Sequence, residues 1–409
     1  YKTTESFVTM SGTGARRWDI AETHYVVKQK AETGSKFVNN YRVLQTLGQG
    51  RFGKVKLCER LTSGVASATN GAAAGNAAIV AINGDADAPA ATSPPPAFAP
   101  PKTRLFTMKI YSKKMLLRLK DYCVDPAEQQ LGAIQNDAGE DAIPMIMRAV
   151  TALDRVHDEI NILRSLYHRN IVLLFEVIEA DDSDKLYMVL EYMPGGPCMT
   201  YRPDTKDFYS CATGGLLSEE LARSYLSDIL LGLQYLHQRR VCHRDIKPDN
   251  ILLNDSGRCH LTDFGCARAF SHTSEDVSGA TENSVTEPVL LSDTVGTYQF
   301  LAPECCSGEP YDPFKVDIWA VGVVFFIFLF GRLPFTSEST RELFDAIIRA
   351  EIVLAGTDES RRAVPLSPEG ENVLRRLLEK DTEQRISIAE ALSHPWFTQD
   401  DDDEEPLSF

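Results

Sequence analysis

The sequence predicts an α+β fold in two lobes, an antiparallel sheet followed by a mainly helical body. Three observations carry this. Strand-like runs at Tyr41 to Thr46 and Val55 to Cys58 flank a glycine-rich turn, and a further strand runs from Phe106 to Lys109. Leu153, Val156, Ile160 and Leu163 then recur at helical spacing. Farther on, Ile318 to Phe330 is an almost wholly apolar run. Strands early and helices late are the order of an α+β chain. At 409 residues the chain is long enough for two lobes, each with its own core.

The first hairpin turns at Leu47-Gly48-Gln49-Gly50-Arg51-Phe52-Gly53-Lys54-Val55. Gly48, Gly50 and Gly53 let backbone N–H groups approach phosphate oxygens, and Leu47, Gln49 and Val55 belong to the same lid. Gly-x-Gly-x-x-Gly also opens dinucleotide folds, but those need a strand–turn–helix and an acidic ribose ligand. Here a second strand follows the glycines. The next strand carries Lys109, suited to the α- and β-phosphates of a nucleotide, and an ammonium there needs an anionic partner. Glu159 sits beside the apolar face of the 153–163 helix and can point to it; Asp158 is the neighbouring alternative.

The densest chemistry lies at His243-Arg244-Asp245-Ile246-Lys247-Pro248-Asp249-Asn250, followed by Asp263-Phe264-Gly265. Phosphoryl transfer from Mg-ATP requires these carboxylates and this amide. Asp245 can accept or orient a substrate hydroxyl proton, Lys247 can reach the γ-phosphate, and Asn250 and Asp263 can each hold a metal ion. Ala302-Pro303-Glu304 follows, and Arg385 is placed to pair with Glu304. The 13 residues of Ile318 to Phe330 are too short to span a bilayer, which takes about 20, and suit a buried helix.

From about Tyr41 to Phe397 these strings resemble a eukaryotic protein kinase, and Lys247 marks the Ser/Thr branch. Others resemble calcium/calmodulin-dependent protein kinase kinase, the upstream activator of AMP-activated-type kinases. They are Arg16-Arg17-x-x-Ile20-x-Glu22-x-His24, Tyr111-Ser112-Lys113-Lys114-Met115-Leu116-Leu117, an insert before the 153–163 helix, and Gly196-Pro197-Cys198-Met199. The liver-kinase branch, another Ser/Thr kinase branch and a pseudokinase scaffold are the alternatives. The resemblance implies the bilobal kinase fold, with an antiparallel-sheet N-lobe, helix C and a helical C-lobe. It implies ATP and Mg2+ as cofactors and another kinase as the protein substrate. It puts Thr107 at the adenine roof, Leu190 at the gatekeeper, and Glu191 and Met193 at the hinge. It makes Thr294 the phosphorylation position, Arg244 the partner of a phosphate there, and Thr297 a partner of Asp245 and Lys247.

On this reading residues 1–40 are an N-terminal extension, 41–193 the N-lobe and hinge, 194–397 the C-lobe, and 398–409 an acidic tail. Residues 61–103, rich in Ala, Gly, Ser and Pro, are expected to be a disordered insert. Residues 118–147 form a second insert, and 200–214 extend the loop after the hinge. The family's second insert is basic and Pro-rich, whereas this one carries Asp125, Glu128, Asp137, Glu140 and Asp141. The net charge of −16 argues against nucleic acid and anionic membrane as partners. Nine cysteines without a Cys-x-x-Cys pair point to reduced thiols and a cytoplasmic setting. The residues after Phe397 offer no basic amphipathic segment, so no calmodulin binding is expected from them.

Overall fold

The runs flanking the glycines pair with each other and form the middle of a wide sheet. The computed structural model describes residues 20–50, 53–61, 105–124, 147–270, 289–354 and 366–398. Its first lobe contains β1 (Ala21–Thr23), β2 (Lys28–Lys30), β3 (Lys36–Val38), β4 (Tyr41–Gln49), β5 (Gly53–Arg60), β6 (Leu105–Ser112), β7 (Lys120–Val124), β8 (Met147–Thr151), β9 (Leu174–Glu179) and β10 (Lys185–Glu191), with helices α1 (Lys113–Arg118) and α2 (Ala152–Ser165). One eight-stranded sheet has the order β1-β9-β10-β6-β5-β4-β3-β2. Only β1 against β9 is parallel within it.

Strand β10 shows how this sheet holds two cores. Its side chains alternate, so Tyr187 and Val189 join a cluster with Tyr41, Phe106, Met108 and Phe175, while Leu186, Met188 and Leu190 face the main core. The Phe106 ring meets Tyr41 and Phe175 edge-on at 5.9 and 5.2 Å. Helix α2 starts in a capping box, with Thr151 and Asp154 satisfying each other's backbone N–H groups. It buries Val156, Ile160, Ile162 and Leu163 in the main core.

Three expectations change here. Residues 1–40 are not simply an extension ahead of the lobe, since β1 and β2 form the two edges of its sheet. Strands of three mostly exposed residues carry no apolar alternation to detect. Long-range bonds hold this end: Thr23 and Tyr41 donate their hydroxyls to Glu176 at 2.5 and 2.6 Å. The 118–147 insert begins and ends as an antiparallel pair, β7 with β8. Finally, 200–214 contains a hairpin rather than an extended loop.

That hairpin belongs to the second lobe, whose strands are β11 (Gly196–Pro197), β12 (Thr200–Arg202), β13 (Asp207–Tyr209), β14 (Val241–Cys242), β15 (Ile251–Leu253), β16 (Cys259–Leu261) and β17 (Arg268–Ala269). Pro203 to Lys206 turn the chain, and Arg202 grips Asp207 through two bonds of 2.9 and 2.7 Å. The helices are α3 (Glu219–Gln238), α4 (Pro303–Ser307), α5 (Pro313–Phe330), α6 (Thr340–Arg349), α7 (Pro368–Leu377), α8 (Ile388–Leu392) and α9 (Pro395–Thr398). Helix α5 is apolar all round because it is surrounded, with 83% of it inside the fold. Asp312 caps its start, and Gly331, at φ 62°, ends it in the left-handed conformation that favours glycine. Arg16, Arg17, most of the 61–103 insert, 125–146, and the tail after Thr398 lie outside the described residues.

Candidate active site

The catalytic-loop candidates hang from one buried carboxylate. Asp317 of α5 is fully buried and accepts the backbone N–H groups of His243 and Arg244 at 2.9 and 2.8 Å. His237 of α3 meets it at 2.9 Å. Burial works to raise the Asp317 carboxyl, but His237, and then His243, hold it below the usual carboxylate range. Arg244 is thereby kept at φ 66°, a conformation uncommon outside glycine. His243 in turn contacts the Thr262 carbonyl at 3.0 Å and lies 5.0 Å, ring to ring, from Phe264. The loop and the Asp-Phe-Gly turn are thus braced together.

Asp245 lies at the centre of the polar cluster. Its Oδ1 accepts from the Thr297 backbone N–H at 3.1 Å and the Thr297 hydroxyl at 2.8 Å. Its Oδ2 accepts from Lys247 Nζ at 2.7 Å and Asn250 Nδ2 at 2.9 Å. Lys247 also donates to the Thr297 hydroxyl at 2.9 Å. These four side chains, from two segments about 50 residues apart, form one network in which Asp245 is a pure acceptor.

A second network joins the lobes. Lys109 of β6 donates to Glu159 at 2.9 Å and to Asp263 at 2.7 Å. Glu159, not Asp158, is the buried residue on α2. Burial opposes the Lys109 charge, yet Glu159, then Tyr111 and Asp263, raise it well above the ordinary lysine value. Lys109 holds the Asp263 carboxyl below its usual range. Phe264 is buried, and α2 packs on the turn that contains it. Asp263 stands at φ 63°, a second strained position at the same site.

On the nucleotide side, Gly48 pairs with Val55 and Gln49 with Lys54, and the Gly50 N–H donates to the Gly53 carbonyl at 3.0 Å. Val55 lies opposite Lys109, and Thr107 lies between Leu57 and Leu190. A Cβ on Gly48 or Gly50 would meet nothing within 4 Å, whereas one on Gly53 would fall 2.2 Å from the Ile110 carbonyl oxygen. Gly53 therefore answers to β6, and only the first two glycines face open space. Leu190 and Met193 are buried, Leu47 is exposed, and burial pushes the Glu191 carboxyl up.

Arg244 already has an anionic partner in the activation segment. Its partner is the Asp293 carboxylate at 2.6 Å, and Thr294 next to it is exposed. Arg385 makes two bonds of 2.6 and 2.9 Å to Glu304. Burial pushes the thiol of Cys266 up to about 11 and those of Cys305 and Cys306 up to about 12, which favours the protonated form. Sequence reasoning assigned no role to Asp317, Asp293 or Tyr111. A lone carboxylate opening an apolar run was a usable signal for Asp317; no local pattern marks the others.

Residues 142–397 match the family described as protein kinase domain. The chain is 39% identical to the serine/threonine-protein kinase ssp1 of Schizosaccharomyces pombe over 248 residues, 59% of this chain and 34% of that protein. It is 28% identical to the serine/threonine-protein kinase TOS3 of Saccharomyces cerevisiae over 372 residues, 89% of this chain and 54% of that protein. It is 27% identical to the serine/threonine-protein kinase GRIK1 of Arabidopsis thaliana over 391 residues, 96% of this chain and 75% of that protein. The chain thus spans between a third and about half of the first two relatives.

Proposed function

The chain belongs to the protein kinase family, of the Ser/Thr type, and from that premise we propose that it transfers the γ-phosphate of ATP to the activation-loop Thr of AMP-activated-type kinases. One observation carries the phosphotransfer part. Asp245 is fixed by Thr297, Lys247 and Asn250, with its carboxylate presented as an acceptor. A carboxylate so held can take the hydrogen bond of an incoming Ser or Thr hydroxyl and remove its proton as the new P–O bond forms. Lys247, beside it, faces the transferring phosphoryl group, and Lys109 the α- and β-phosphates.

The metal that such chemistry uses fits the donors present. Asp263, half exposed, and the Asn250 amide oxygen are hard oxygen ligands. Among the described residues no group of three or more His, Cys, Asp or Glu could hold a metal alone. That suits Mg2+, which takes one or two protein oxygens and completes its shell with phosphates and water. Bound there, the metal would neutralise phosphate charge; the chain's own part is to hold the acceptor hydroxyl against Asp245.

The choice of another kinase as substrate rests on resemblance, chiefly the lead-in at Arg16 to His24, the insert before α2 and Gly196-Pro197-Cys198-Met199. Its test is incubation of the chain with γ-labelled ATP and a panel of inactive kinase domains, including a catalytically dead AMP-activated-type α subunit, with mass spectrometry to locate the phosphate. Transfer to the activation-loop Thr of the intact domain, with poor transfer to a short peptide, is expected. Phosphate scattered over surface Ser residues would leave a Ser/Thr kinase of another substrate branch.

A further inference from the structure

The Arg244 side chain is only 6% exposed, so its charge needs a fixed partner, and that partner is Asp293. Asp293 is held through its backbone as well. Tyr311, itself buried, donates its hydroxyl to the Asp293 carbonyl at 2.5 Å and lies 3.4 Å from its Oδ1. Leu291 and Tyr311 exchange backbone bonds of 2.9 and 2.8 Å, which tie the segment to the start of α5. Three residues after Asp293, Gly296 stands at φ 111°, where a Cβ would lie 2.6 Å from the Arg244 carbonyl oxygen. Thr297 then reaches Asp245. From Tyr311 through Asp293 and Arg244 to Asp245, the contacts are continuous.

We propose that Asp293 is a built-in anionic positioning residue, supplying Arg244 with the negative charge that a phosphate on Thr294 would otherwise bring. Residues 289–297 are therefore held in place for catalysis without that modification. A phosphate on the exposed Thr294 would arrive beside a guanidinium already neutralised, and next to a like charge. Asp293 touches no reacting atom; it acts through Arg244 and the path of residues 293–297. This inference rests on the kinase reading of the same site.

The test uses the whole chain treated with phosphatase, its unmodified Thr294 verified by mass, with both the catalytically dead AMP-activated-type α subunit and myelin basic protein as acceptor probes. The dephosphorylated wild type and Thr294→Ala should keep kcat within about twofold of the untreated chain. Asp293→Asn should lower kcat by roughly tenfold or more, about 1.4 kcal/mol, with KM for ATP little changed. Asp293→Glu should recover most of that loss, which a merely structural role would not predict for a longer side chain. Wild type that is active before phosphatase and dead after it, or an Asp293→Asn chain as active as wild type, overturns the proposal. Should Asp293→Asn fail to fold, the dephosphorylated wild type and Thr294→Ala decide alone. A wild type inactive before and after treatment, which still binds ATP, would instead sink the kinase reading.

Discussion

Lys247, Asn250 and Thr297 all donate to the Asp245 carboxylate, so its role is that of an acceptor. Asp245→Asn should lower turnover by about 10²–10⁴-fold, the usual range for a lost general base. ATP affinity should stay nearly unchanged, and single-turnover rates beside a nucleotide titration separate the two. Lys109 and Glu159 are expected to behave as a unit, because each fixes the other at 2.9 Å in a largely buried contact. Lys109→Met and Glu159→Gln should each be severely impaired, and the double variant far better than the product of the two losses. Multiplicative losses in that cycle would mean independent action. Asp245, Lys247 and Asn250 are legible from sequence because they crowd into 243–250, where spacing alone brings them close.

Elements decide how those side chains are held, and α5 matters most. Asp317, with its pKa held down in the folded chain, contributes stability that is present above the unfolded carboxylate value, about 3.9, and lost as pH falls through the lower folded value. Denaturant unfolding followed from about pH 5 down to about pH 2 should show that acid loss in the wild type, and Asp317→Asn should show a shallower one. If both lines fell in parallel, Asp317 would not be the linked group. The same helix packs on α7 through Gly322, where a Cβ would come within 2.8 Å of Leu378 and 3.0 Å of Leu377. Gly322→Ala should therefore cost about 1–3 kcal/mol by overpacking, read as a lower melting temperature. Helix α5 was legible as a continuous apolar run. The β1, β2 and β12–β13 strands were not, because three-residue strands give periodicity nothing to register.

At the scale of the whole molecule, the lobes meet through Lys109–Asp263 and through α2 against the Asp-Phe-Gly turn. A ligand that bridges the lobes should stabilise them together. ATP with Mg2+ at a hundred times its Kd would add about 2.7 kcal/mol to a folded chain, a rise in melting temperature of roughly 5 °C. Asp263→Asn should keep the shift caused by ATP alone and lose the increment that Mg2+ adds; an undiminished increment would place the metal elsewhere. Sequence by itself determined the α+β two-lobed class, the glycine turn, the strand of Lys109, the apolar face of α2, and the catalytic loop. Each is written in composition, period or short-range spacing, which burial and local geometry impose directly on residue order. Tertiary structure alone decided that Glu176 receives Thr23 and Tyr41 from 153 and 135 residues away. It also decided that Gly53 serves β6, and that Arg244 pairs with Asp293. Partner choice at such distances carries no local periodicity, and the entropy of closing the chain grows so slowly with length that sequence separation scarcely restricts it.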